Sequence, residues 1–279
     1  MGFIDMRLLE LARSSPKTSR RILTLWICWL FLAIVQYLHF GVILKTWAPK
    51  PPVDPESCYC SCWDTVFKGK YEHPYGKYKH CYFNATPEAL IMWAWTVFAI
   101  LITYEVCRHV VRVLMSGQFR FSMLILFLST VHSHYYSWWA FWGYLNDGFY
   151  FQWNHQLMFT LTEGISTVVV LYLLDSDVTI KSKHLLTIIS IAILHLLVGG
   201  IDQFVLNVIF LRGKPYQIIR DIALVSVDFL FLIILTITFR SYLADNCLTL
   251  SAYTSKNAKD LTFAAIFVSS SFFISSYVL

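Results

Sequence analysis

LLTIISIAILHLLVGGIDQFVLNVIFL, running from Leu185 to Leu211, holds no lysine or arginine and a single acid, Asp202. A helix needs roughly 20 apolar residues to cross ~30 Å of hydrocarbon, and this stretch is longer than that. It shows no period-2 alternation, which excludes a barrel strand. The reading is a membrane-crossing helix. Six more runs of the same kind surround it: Ile22–Leu44, Ala89–Val113, Ser122–Leu145, Leu157–Leu174, Ile222–Leu243 and Thr262–Leu279. Together the seven predict an all-α fold, a polytopic transmembrane helical bundle. Composition agrees, because the 279-residue chain is 57% hydrophobic and only 14% charged, against about 25% charged in an ordinary soluble domain. The lipid bilayer is therefore the expected partner. Nucleic acid is not, since no charge run or basic stripe is present.

The Lys/Arg bias sets the orientation. With the N-terminus in the cytoplasm, thirteen of the 22 Lys and Arg residues fall inside and nine outside. The first run follows Arg20-Arg21, exceeds the roughly 7–15 residues of a signal-peptide core and has no small-x-small site after it, so it reads as an uncleaved signal anchor. The chain then divides into a cytoplasmic segment 1–21, a first transmembrane helix 22–45, an outer loop 46–88 and a six-helix membrane bundle 89–279. This predicts residence in the secretory pathway, in the endoplasmic reticulum, Golgi or plasma membrane.

Four of the seven cysteines (Cys58, Cys60, Cys62 and Cys81) lie in the outer loop, together with the sequon Asn84-Ala85-Thr86. Clustered cysteines suit an oxidising compartment, and the sequon predicts glycosylation at Asn84. A loop this small without an apolar face needs staples, and two disulfides supply them. Cysteines at i and i+2 pair poorly, so one of the three clustered cysteines is expected to bond Cys81. A soft-metal site with His73 or His80 is the other reading, although the paired C-x2-C spacing of zinc modules is missing. The loop either caps the bundle or serves as a lid or a surface for a protein partner.

Ionisable side chains inside hydrocarbon are costly and mark function by default. At ~1.5 Å per residue, His132, His134, Glu163 and His195 fall near the midplane, with Asp202 and Asp228 further toward the outside. These six form the predicted ligand- or ion-binding zone. Each has a plainer role open to it. His132 and His134 sit about 200° apart on an ideal helix, so only one faces a common site, and either serves equally well as interhelical hydrogen-bond glue. Glu105, which is shallower, can pair with Arg108 or His109 on its own helix. Glu163 has no cation within reach on its span and needs a partner from another helix or a proton. Gly199-Gly200 beside His195 reads either as a break exposing backbone or as a point of close helix packing. The run from His134 to Tyr144 is an interfacial aromatic belt or the lining of a lipid site.

No P-loop, dinucleotide fingerprint, Gly-x-Ser-x-Gly elbow, His-Glu-x-x-His or EF-hand loop occurs, so the motifs leave the cofactor unknown. The span count and orientation resemble those of the progestin/adiponectin receptor and alkaline ceramidase families. Those families carry a late His-x-x-x-His zinc pair, and the sixth and seventh spans here hold no histidine, so no site residue is carried over. The expectation is a transporter or channel-like protein that handles a proton, cation or small polar solute at the His/Glu/Asp zone. The alternatives are a non-catalytic adaptor, receptor or assembly factor using the Cys-rich loop, and a lipid-modifying enzyme with a His/acid site.

Overall fold

The computed structural model describes residues 16–38, 42, 87–147 and 153–278. Cys58, Cys60, Cys62, Cys81 and Asn84 lie outside the described residues, as does the side chain of Asp202. Among the described residues the architecture is all helical and comprises α1 (Pro16–Gln36), α2 (Pro87–Ser116), α3 (Phe121–Asp147), α4 (Trp153–Leu174), α5 (Ser182–His195), a π-helical segment (Leu196–Ile209), α6 (Pro215–Asp245), α7 (Leu250–Lys256) and α8 (Ala258–Val278). Among the described residues, five helices are long and apolar enough to cross a membrane: Lys17–Val35, Trp153–Leu174, Ser182–Ile201, Gln217–Asp245 and Ala258–Ser275.

Large apolar side chains cover the outside of these helices. Ile237 on α6 is 61% exposed and Phe263 on α8 is 75% exposed. Water would penalise such a surface by roughly 25 cal/mol per Å², whereas lipid does not. Several polar side chains, by contrast, are buried, including Gln156, Thr162, Glu163, Ser166, Thr167 and His195. Polar groups inside and apolar groups outside are what a hydrocarbon solvent selects.

The chain forms two compact units. In the first, α1 packs on α2. Glu105 is ion-paired with Arg108 one turn along α2, the local partner expected of it. Lys17, Arg20, Arg21, Arg108 and Arg112 line one hollow at an end of this hairpin.

The second unit holds α3 to α8. Its packing pairs α3 with α4, α5 with α6, and α8 with α5, while α6 also meets the π segment and α3. Fully buried Met123, Leu126, Val170, Leu173, Leu174, Leu185, Ile188, Leu194 and Leu235 fill its centre. One end is clasped by Arg120, whose guanidinium donates to the carbonyls of Leu173, Asp175, Ser176 and Val178 at 2.8, 2.6, 3.0 and 2.5 Å. These groups end α4 and the turn after it, where carbonyls lack helical partners and the helix dipole favours a cation. Burial there lowers the Arg120 pKa against the pull of Asp175, and the group remains charged.

At Gly199-Gly200 the helix continues unbroken. It widens, and Leu196–Ile209 is π-helical throughout. Such helices usually appear as single turns, frequently at functional sites. A methyl added at Gly199 would meet only the Phe159 ring at 3.6 Å, and nothing lies within 4 Å of one added at Gly200. Tight packing is therefore not what these glycines provide. The segment closes at Gly213, whose N–H donates to the Asn207 carbonyl at 3.3 Å.

Candidate functional site

Three helices of the second unit each bring one titratable side chain to a common point. His195 is the last residue of α5, Glu163 lies in the middle of α4, and Asp228 lies in α6. Nδ1 of His195 is 3.5 Å from Glu163 Oε2 and 3.4 Å from Asp228 Oδ1. His195 and Glu163 are buried and Asp228 nearly so.

The other nitrogen fixes the imidazole tautomer. Nε2 of His195 lies 2.7 Å from Thr162 Oγ1. That hydroxyl has one proton, and it donates it to the Met158 carbonyl at 2.7 Å. Thr162 can then only accept from His195, so Nε2 carries the hydrogen. In the neutral ring Nδ1 therefore presents a lone pair, and that lone pair faces two carboxylates. The remaining oxygen of Glu163, Oε1, is buried without a hydrogen-bond partner among the described residues. Phe159 closes one side, its ring centroid 5.0 Å from that of His195.

The cluster opens onto a cavity of about 90 Å³ lined by residues of α3, α4, α5, the π segment and α6, among them Ser133, Tyr136, Gln156, Gln203 and Asp221. That volume holds a few water molecules or one small solute. Along its wall, Gln156 Nε2 donates to Ser137 Oγ at 3.0 Å. A second polar group borders the same cavity. Arg220 donates to Asp221 Oδ1 at 2.6 Å, to Gln203 Oε1 at 2.9 Å and to Tyr136 Oη at 3.2 Å. Asn207 Nδ2 donates to the other Asp221 oxygen at 2.7 Å. Both Asp221 oxygens accept a hydrogen bond and the Arg220 charge offsets that of Asp221, so the group forms a neutral network.

Of the six residues predicted for the polar zone, the structure brings Glu163, His195 and Asp228 together. Asp228 meets His195 because α6 begins at Pro215, about two turns before the apolar run used to judge its depth. The two α3 histidines do not line the cavity. Nε2 of His134 lies 2.8 Å from Thr167 Oγ1, a helix-to-helix bond between α3 and α4. His132 stacks on Tyr136 at 6.4 Å between centroids. The residue between them, Ser133, faces the cavity instead.

Arg220, Asp221, Gln203 and Asn207 were not singled out from the sequence. Arg220 and Asp221 lie just before the apolar run Ile222–Leu243. The available signal was an adjacent Arg-Asp pair following two amides four residues apart. The aromatic run is divided in the same way. Phe141 and Trp142 are buried in the bundle, while Trp139 donates to Tyr135 at 2.5 Å within α3.

No curated protein and no solved structure matches the chain. A family model does, over residues 21–278, which include all the described helices of the second unit. The chain therefore belongs to the family described as a family of unknown function, DUF8801.

Proposed function

We propose that the protein is a multi-pass membrane transporter or channel-like protein that handles a proton, a cation or a small polar solute at Glu163, His195 and Asp228. One observation carries this reading: three titratable side chains from three helices meet in the wall of a small cavity inside an apolar bundle. Buried charge in a bilayer is costly, and a purely structural role could be met by neutral hydrogen bonds such as His134–Thr167. The cavity's volume, about 90 Å³, favours a small solute over a lipid, because sites for drug-sized ligands run to ~300 Å³ and more.

In this reading all seven long helices cross the membrane, since α2 and α3, at 30 and 27 residues, also have the length. The N-terminus faces the cytoplasm, where the Lys17, Arg20, Arg21, Arg108 and Arg112 cluster belongs under the positive-inside rule. The 46–88 loop faces the lumen or cell exterior, stapled by Cys58, Cys60, Cys62 and Cys81 and glycosylated at Asn84, as a protein of the secretory pathway.

The decisive measurement is flux in reconstituted vesicles. Glu163→Gln preserves shape and removes the charge that faces His195 and Asp228. Its pH-dependent flux is expected to vanish while the variant elutes as a folded species in detergent. Flux equal to wild type would remove Glu163 from the mechanism.

A further inference from the structure

The two contacts of His195 fall within ion-pair range, and their spacing is also that of a metal site. Nδ1 of His195 offers at most one proton, yet two carboxylate oxygens approach it, at 3.5 and 3.4 Å. One proton cannot satisfy both. Charge-assisted hydrogen bonds also run shorter, about 2.7–2.9 Å. Ligand atoms each about 2.1 Å from a tetrahedral metal sit about 3.4 Å from one another, which matches both separations. All three ligand atoms lie within 4.8 Å of one another.

The chemistry agrees with the spacing. One imidazole and two carboxylates suit zinc and its divalent neighbours better than calcium or magnesium, which prefer all-oxygen shells. Two carboxylates in a low-dielectric bundle carry a charge that a divalent ion cancels. Thr162 accepts from Nε2 and leaves Nδ1 free to ligate, the usual part of an outer-shell partner of a metal-bound histidine. Three protein ligands with a cavity on the remaining side leave a fourth position open.

We infer that Glu163, His195 and Asp228 bind one divalent transition-metal ion of the zinc type, with its fourth coordination position facing the cavity. Binding stands on the geometry. The further step, that this ion is the solute handled, rests on the function proposed above.

The test uses the full chain in detergent, stripped with a chelator and titrated with zinc ion alone. One ion per chain is expected in wild type and in a variant with Cys58, Cys60, Cys62 and Cys81 all changed to serine. Glu163→Gln and Asp228→Asn should weaken it by more than about 100-fold, beyond the roughly 10–100-fold that loss of an outer-shell partner costs. Thr162→Val should fall within that smaller range and Thr162→Ser should restore affinity, a gradation that survives if a ligand variant fails to fold. Cobalt taken up in place of zinc should show the intense visible absorption of a four-coordinate site. Full-affinity zinc binding in Glu163→Gln and Asp228→Asn, or zinc lost only with the loop cysteines, overturns the inference. Zinc bound without any flux leaves the site standing and sinks transport. Glu163-dependent proton flux without zinc binding does the reverse.

Discussion

Thr162 decides which face of the His195 imidazole the carboxylates meet. Its hydroxyl is committed to the Met158 carbonyl, so it receives the Nε2 hydrogen and aims the opposite lone pair at Glu163 and Asp228. Thr162→Val keeps the volume and removes the acceptor, leaving a buried N–H unpaired at a cost of about 1–3 kcal/mol. A lowered thermal midpoint in detergent, recovered in Thr162→Ser, is the expected outcome; an unchanged midpoint in Thr162→Val would mean that Nε2 finds another acceptor. At this scale the sequence was legible where a residue was costly to bury. Glu163 stood out because no cation on its own helix could pair with it, and His195 because of its depth in the span. Thr162 did not, since a threonine in a membrane helix ordinarily bonds the preceding turn, as Thr103 does to Ala99. The choice between His132 and His134 was illegible for a different reason: helix rotation depends on neighbours, and the neighbours turned Ser133 inward.

Among the elements, the π segment lines one part of the cavity with Gly199 and Gln203, and the turn that ends it is tightly packed. Gly213 lies so close to this turn that an added Cβ would stand 2.7 Å from Asn207 Cβ and 3.1 Å from its Cα. Asn207 in turn holds Asp221, which holds Arg220. Gly213→Ala is therefore expected to destabilise by about 1–3 kcal/mol, the usual cost of overpacking, and to loosen the Arg220 network. Thermal unfolding beside Gly200→Ala, where nothing lies within 4 Å, separates the crowding from a general loss of glycine. Helix positions were readable from apolar run length, as α4 shows by ending at Leu174 where the run ends. The widening after His195 was not, because its sequence is as apolar and unbroken as that of an α-helix. Gly199-Gly200 marked the place without naming the conformation.

For the whole molecule, orientation is the property most open to direct trial. If the N-terminus is cytoplasmic, a tag placed before Met1 is digested by protease added to sealed microsomes, and the 46–88 loop is protected until detergent is added; the opposite pattern would invert the topology. Membrane residence was legible because the solvent acts on bulk composition, leaving side chains such as Ile237 and Phe263 outside. Convergence of distant residues was not, since Glu163, His195 and Asp228 are joined only by the folded bundle. That bundle also carries its two polar groups, the His195 cluster and the Arg220 network, on opposite sides of a change in winding. Each residue of an ordinary helix advances about 100° around the axis. Deleting one residue between Leu196 and Gln203 would swing Gln203 and Asn207 away from their partners on α6 and leave His195 where it is. The wider winding thus works as a phase adjuster between two polar groups on one cavity, and a single-residue deletion would throw them out of register.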